Sequence, residues 1–214
     1  MRYRERNHPF LICAAALLVI PGASHAIEEA RYSVERSEGE FEIRRYEARV
    51  VAETFVEGDR ASAGNQAFRI LVGYIGGDNR GEQKIAMTAP VDQQRGEAIA
   101  RVSPVTEQRT GERYRVTFTM PASYTLETLP EPSDPRVRLI EEVPRRFAAI
   151  QYSGTWSTSR YDEHEARLRA WLAAESLVPV GAEAIPAVWA RYDPPFMPWF
   201  LRRNEVLIEI GDAP

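Results

Sequence analysis

Few side chains in this sequence could carry out covalent or acid–base chemistry. Beyond the first 26 residues, histidine occurs once, at His164, and cysteine not at all. Histidine supplies most general bases and most zinc or haem ligands. A lone one builds a zinc site only if several carboxylates fold onto it, and no local spacing here does that. Neither Ser103-Pro104 nor Ser153-Gly154 sits in the Gly-x-Ser-x-Gly elbow that exposes a serine nucleophile. His164 stands three residues after Tyr161 and four before Leu168, beside an apolar helical stripe, and reads as a histidine at the edge of a core. Glu141, Glu142, Asp162, Glu163 and Glu165 are numerous enough for carboxylate-pair chemistry. Runs of charge on strand edges and helix faces are ordinarily just solvated. Gly73-Tyr-Ile-Gly-Gly77 closes a helix instead of opening one, the wrong polarity for cradling a phosphate. The expectation is a protein that binds and is not an enzyme.

What it could bind is apolar. From Tyr192 to Glu205 the chain carries Pro194, Pro195 and Pro198, each lacking a donor and fixing φ near about −65°, so the segment is expected to form an extended, stiff arm. Phe196, Met197, Trp199, Phe200 and Leu201 load that arm with apolar surface that must cover either the core or a bound molecule. Arg202 and Arg203 follow, and guanidinium forks suit carboxylates. Phe68, Leu71, Val72 and Ile75 recur at helical spacing and offer a second wall, and the strand from Ile85 to Pro90 a third. Flat apolar ligands need such walls plus a few polar groups at the mouth.

The elements that must position these walls follow from periodicity. Alternation from Glu29 to Glu57, around the turn Ser37-Glu38-Gly39-Glu40, predicts early paired strands. A helix is expected over Gly64 to Ile75, stopped by Gly76-Gly77-Asp78-Asn79. Strands follow at Lys84 to Val91 and Arg113 to Met120, then a connector holding Pro130, Pro132 and Pro135. The second half repeats the plan: strands at Val137 to Ile140 and Phe147 to Tyr152, a helix over Tyr161 to Leu172, and strands at Val188 to Tyr192 and Val206 to Ile210. An offset of 97 carries Ile43 onto Ile140, Leu71 onto Leu168, Tyr74 onto Trp171 and Ile75 onto Leu172. This internal repeat predicts an α+β fold, a distorted antiparallel β-barrel or curved sheet built from two pseudo-repeated ββαββ units with two helices. The arm then joins the last two strands, where the first half has its own link after Val91.

Residues 1–26 read as an export signal, with Arg2, Arg4 and Arg6 before the apolar stretch Phe10 to Ile20, a Pro21-Gly22 break, and cleavage expected after Ser24-His25-Ala26. The stretch is shorter than the roughly 20 residues a spanning helix requires, so no stable membrane span is expected after its removal. The remaining 188 of 214 residues suffice for a single domain, 27–214, expected in the periplasm or secreted. Without cysteine, disulfides, thiolate metal sites and covalent haem attachment are excluded. Taking three Arg and one Glu from the 27 basic and 31 acidic residues leaves 24 and 30, a net charge of −6 that argues against nucleic-acid binding.

Three ordered motifs, Tyr74-Ile-Gly-Gly-Asp-Asn79, Lys84-Ile-Ala-Met-Thr-Ala-Pro-Val91, and Tyr192-Asp-Pro-Pro195 with Arg202-Arg-Asn-Glu-Val206, make the chain resemble the SOUL haem-binding protein family from about Ile27 to Ile210. The resemblance implies a distorted antiparallel barrel that holds haem, or a related tetrapyrrole, reversibly and non-covalently in an apolar groove between the first helix and the Pro-rich arm. Carried over, it places Tyr74, Ile75 and Gly76 at the helix end, and Pro194, Pro195, Pro198, Arg202 and Arg203 on the arm, around the ligand. Phe68, Leu71 and Val72 extend that wall by periodicity, and Phe196, Met197 and Trp199 by position on the arm. No axial ligand is assigned; Met87 and Met197 could offer a thioether, and His164 lies outside the groove motif. The alternative is a protein-interaction or structural module of the same fold whose arm is buried on its own barrel and whose groove is filled.

Overall fold

The computed structural model describes residues 27–95, 113–181 and 186–212. The export-signal reading of residues 1–26 and the link between the second strand pair of the first half fall outside them. In chain order the elements are β1 (Glu28–Glu29), β2 (Tyr32–Glu38), β3 (Phe41–Tyr46), β4 (Arg49–Glu57), α1 (Arg60–Gly76), β5 (Thr88–Ala89), β6 (Val91–Arg95) and β7 (Arg113–Thr119). They continue as β8 (Arg138–Glu142), β9 (Arg145–Ser153), α2 (Thr158–Ala174), β10 (Val188–Arg191) and β11 (Arg203–Glu209).

Nine strands form one curled antiparallel sheet in the order β2-β3-β9-β11-β10-β6-β7-β4-β8, a half-barrel with both helices on one face. The repeat is visible in that order. The first half supplies β6-β7-β4 and the second β10-β11-β9, joined at the centre by β6 against β10. Each half then receives the first strand of the other: β3 pairs with β9, and β8 with β4. The expected pairing among the early strands is therefore only half met. β2 and β3 do form a hairpin around Gly39, at φ +61°, but β4 pairs with β7 and β8.

Each helix is 17 residues long and begins earlier than apolar periodicity alone suggested. The Asp59 carboxylate accepts from the amides of Ala61 and Ser62, both at 3.0 Å, and Ser157 Oγ accepts from the Arg160 amide. α1 stops at Gly77, whose φ of +125° needs a glycine, while the Asp78 amide donates back to the Gly73 carbonyl at 2.9 Å. Asn79 completes the stop by donating to the carbonyls of Tyr74 and Gln83. Leu71, Tyr74 and Ile75 of α1, and their repeat partners Leu168, Trp171 and Leu172 of α2, are all buried in the main core against the sheet. Each large side chain so placed contributes on the order of 1.5–3 kcal/mol.

Two strand expectations are corrected. Lys84 to Met87 form no strand: the Ile85 amide donates to the Ile75 carbonyl at 2.8 Å, binding this segment to the helix end, and pairing starts only at Thr88. β11 begins at Arg203, so the second half of the arm motif is strand.

The helix-free face of the sheet carries buried charge. Arg44 of β3 reaches across β9 to Glu205 of β11, with Nη1 2.6 Å from Oε2 and Nη2 3.1 Å from Oε1. Nearby, Arg49 bridges Asp92 and Glu142, and Arg115 bridges Glu53 and Glu142. Burial pushes the Asp92 carboxyl up to about 6 even with Arg49 beside it. Burial also opposes ionisation of Glu142, but Arg49, Arg145 and Arg115 outweigh it and hold that carboxyl at about 2.

Candidate functional site

On the helix-bearing face, the N-terminal half of α1 stands away from the arm and leaves an apolar groove of about 380 Å3. Its floor is the central strand strip, Val91 and Gln93 of β6, Val116 of β7 and Arg191 of β10. One wall is Gly64, Asn65 and Phe68 of α1; the other is Tyr192 to Phe196 of the arm, with Trp156 and Met87 closing the ends. The Phe68 ring is held by edge contact with Phe118, centroids 5.5 Å apart. This volume and lining lie in the range of small-molecule sites. A second cavity, about 470 Å3, is wider but is lined by Glu28, Glu29, Glu47, Glu127 and Glu141, so it suits an apolar ligand poorly.

The arm departs from the fully extended form that its prolines suggested. The Met197 amide donates to the Pro194 carbonyl at 3.0 Å, and Trp199–Leu201 form a single 3-10 turn closed by the Leu201 amide on Pro198. Prolines fix φ without forbidding such turns.

The arm motif is a clasp. The Tyr192 hydroxyl donates to Glu205 at 2.8 Å, and burial with the Glu205 charge raises its pKa well above the ordinary tyrosine value. Asp193 accepts from the Arg203 amide at 2.6 Å. The Arg203 guanidinium lies 3.8 Å over the Tyr192 ring and pairs with Glu205 and Glu29. Arg202 donates to the carbonyls of Pro195 and Met197 and covers the Trp156 ring. Asn204 accepts from Trp156 Nε1 at 2.8 Å. Root, tip and strand are thus tied together by the residues of the motif itself.

The expected site residues separate accordingly. Phe68, Pro194, Pro195 and Phe196 line the groove. Leu71, Tyr74 and Ile75 are in the core, with Val72 packed beside it, and the Tyr74 hydroxyl donates to the Pro130 carbonyl. Gly76 lies exposed at the helix end. Met197, Pro198 and Trp199 continue the arm past the groove, and Arg202 and Arg203 hold the arm. Phe196, Trp199 and Phe200 are 85%, 55% and 58% exposed beside an open groove.

Sequence reasoning missed Arg191 and Trp156. Arg191 is the cation among the groove-lining residues, its Nε donating to the Tyr161 hydroxyl at 2.8 Å and its Nη2 to Gln93 at 3.1 Å. Strand parity carried the signal: Trp189 and Arg191 share a face of β10, and Trp189 is plainly core. Met87 is the thioether that lines the groove. His164 is buried, stacked on Tyr152 at 3.9 Å, with Nδ1 2.7 Å from the Arg160 carbonyl oxygen. Among the described residues, no cluster of three or more His, Cys, Asp or Glu could hold a metal ion.

Comparison with known proteins gives the fold and the family. The C-terminal domain of EcmrR superposes with a TM-score of 0.58 at 7% identity, covering 85% of this chain and 99% of that one. A hydrolase encoded by lin2189 from Listeria innocua gives 0.55 at 11% identity, covering 80% and 92%. At such identities only the fold is shared. No curated protein matches the chain in sequence. The sequence profile described as SOUL heme-binding protein matches residues 27–209, spanning both halves, both helices and the arm. The chain belongs to the SOUL haem-binding protein family.

Proposed function

We propose that this protein is an exported, non-enzymatic carrier that binds haem or a related tetrapyrrole reversibly in the groove between α1 and the arm. The observation that carries the reading is the lining itself, apolar over Phe68, Val91, Val116, Trp156, Pro194, Pro195 and Phe196, with Arg191 as its cation. A tetrapyrrole's flat faces would lie against those side chains, and its carboxylates would meet Arg191, with the exposed Asn65 amide alongside. Arg202 and Arg203 are committed to the clasp, so their role is to hold the arm in place for the ligand. Haem would bring redox-active iron, and Met87 is the soft donor among the groove-lining side chains that would be available to it. His164, stacked inside the core, has no part in this site.

Fluorescence titration with haem and with metal-free porphyrin tests the reading. Both should quench indole emission saturably, because Trp156 lines the groove, and Phe196→Ala should weaken both. If neither compound quenches saturably, the proposal fails; if only haem does, the iron contact outweighs the apolar walls and the emphasis on the lining is mistaken.

A further inference from the structure

Arg44, Arg49 and Arg115, sunk in the helix-free face of the sheet, each meet at least one acid. Arg191 on the groove floor does not. It is half-buried, with its Cζ 5.2 Å from the Trp156 ring and 5.7 Å from the Tyr161 ring. Among the described residues no carboxylate lies within ion-pair distance of it, and its hydrogen-bond partners are neutral. A guanidinium cannot shed its proton, so a cation placed under an apolar groove calls for an anion.

Those neutral partners fix the fork. Nε donates to the Tyr161 hydroxyl at 2.8 Å and Nη2 to Gln93 Oε1 at 3.1 Å. Gln93 is itself buried and held, its Nε2 donating to the Arg60 carbonyl at 2.8 Å. Among the described residues Nη1 is left with no hydrogen-bond partner, and it lies beside Gly64 of α1, which lines the groove with Gln93 and Arg191. A Cβ at position 64 would stand 3.6 Å from Nη1 and 3.0 Å from Gln93 Oε1, close enough that the carboxamide must shift. Glycine inside a helix lowers its stability relative to alanine. Here that cost has a physical reason: without a side chain, α1 closes on the Gln93–Arg191 pair and leaves it undisturbed.

We propose that Nη1 of Arg191 is the seat for one ligand carboxylate at the floor of the groove, so that the ligand enters acid edge first, and that Gly64 is the specificity-determining position that keeps the seat open. The inference rests on the tetrapyrrole reading and deepens it. The ligand class is a planar apolar molecule with at least one free carboxylate, turned inward and not toward solvent. An ester or amide in that place brings no charge to answer the cation, and leaves it covered and unpaired beneath the ring system. One seat also means that one carboxylate suffices, any second one lying at the open mouth.

Indole-quenching titrations with metal-free mesoporphyrin, its mono-methylamide and its bis-methylamide test this on the parent and on Gly64→Ala. The parent should bind the diacid and the monoamide within about threefold of each other, and the diamide at least about tenfold more weakly, the loss expected of a charge-assisted hydrogen bond. That ligand series needs no variant. Gly64→Ala, checked for an unchanged circular dichroism spectrum, should weaken the diacid about three- to tenfold and leave the diamide unchanged. A diamide that binds the parent as tightly as the diacid, or a monoamide as weak as the diamide, would overturn the inward seat while the groove reading stands. An equal loss of diacid and diamide in Gly64→Ala would overturn the role of Gly64. Failure of all three compounds to bind the parent would overturn the tetrapyrrole reading and this inference with it.

Discussion

Arg202 donates from Nη2 to the carbonyl oxygen of Pro195 at 2.6 Å, closing the arm back on its own root. Its Nε donates to Met197 at 2.8 Å, so one guanidinium fixes both sides of the bend that presents Phe196 to the groove. A wall fixed before the ligand arrives spares the ligand the entropy of ordering it.

Arg202→Ala should therefore leave the barrel intact and loosen the arm. Amide exchange should quicken for Phe196 to Leu201, groove-ligand affinity should fall about three- to tenfold, and the melting temperature should move by less than about 3 °C. Arg202→Lys should not rescue, because an ammonium lacks the planar fork that spans two carbonyls. Exchange by mass spectrometry beside a ligand titration checks both halves of this expectation.

The buried Arg44–Glu205 pair makes a different prediction. Glu205 also accepts from Tyr192 and pairs with Arg203, so Glu205→Leu strips several buried partners at once and should cost about 3–5 kcal/mol. Adding Arg44→Met should recover part of that loss by removing the orphaned charge. Chemical denaturation of the single and double variants reads the coupling; a strictly additive double would contradict it.

Stability should depend on pH with opposite signs on the two sides of the charged cluster. The folded Asp92 carboxyl keeps its proton up to about pH 6, against an ordinary value of 3.8, so the folded state binds more protons in that window. Its contribution is present below pH 3.8 and is lost as pH rises through about 6, by up to about 3 kcal/mol. Glu142 runs the other way: its contribution is present above 4.5 and is lost as pH falls toward about 2. Asp92→Asn should flatten the slope between pH 4 and 6 and leave the acid-side loss unchanged, as denaturant titrations at stepped pH would show.

Much of the architecture was legible because it is periodic. Leu71, Tyr74 and Ile75, and their counterparts Leu168, Trp171 and Leu172, repeat at one offset and occupy equivalent core positions. That same regularity misled the reading of the site: the strongest apolar stripe on α1 packs against the sheet, and the groove takes the edge bearing Gly64, Asn65 and Phe68. Strand exchange was hidden because sequence signals describe hairpins between neighbours, whereas β3 with β9 and β4 with β8 pair across the repeat. The arm was legible as rigid from Pro194, Pro195 and Pro198, but the role of Arg202 and Arg203 was not, since a guanidinium pinning its own loop and one awaiting a carboxylate look alike in sequence.

The central claim is that the groove between α1 and the arm, with Arg191 at its floor, binds the tetrapyrrole. Haem titration followed at the Soret band, with Asn65→Trp and Arg191→Met beside the parent, tests it most directly. Asn65 is exposed on the groove wall, so a tryptophan there fills the groove without touching the core. The account predicts a saturable one-to-one change for the parent, at least about tenfold weaker for Asn65→Trp and about three- to thirtyfold weaker for Arg191→Met. A saturable change that neither variant alters would contradict it, as would a parent that shows none.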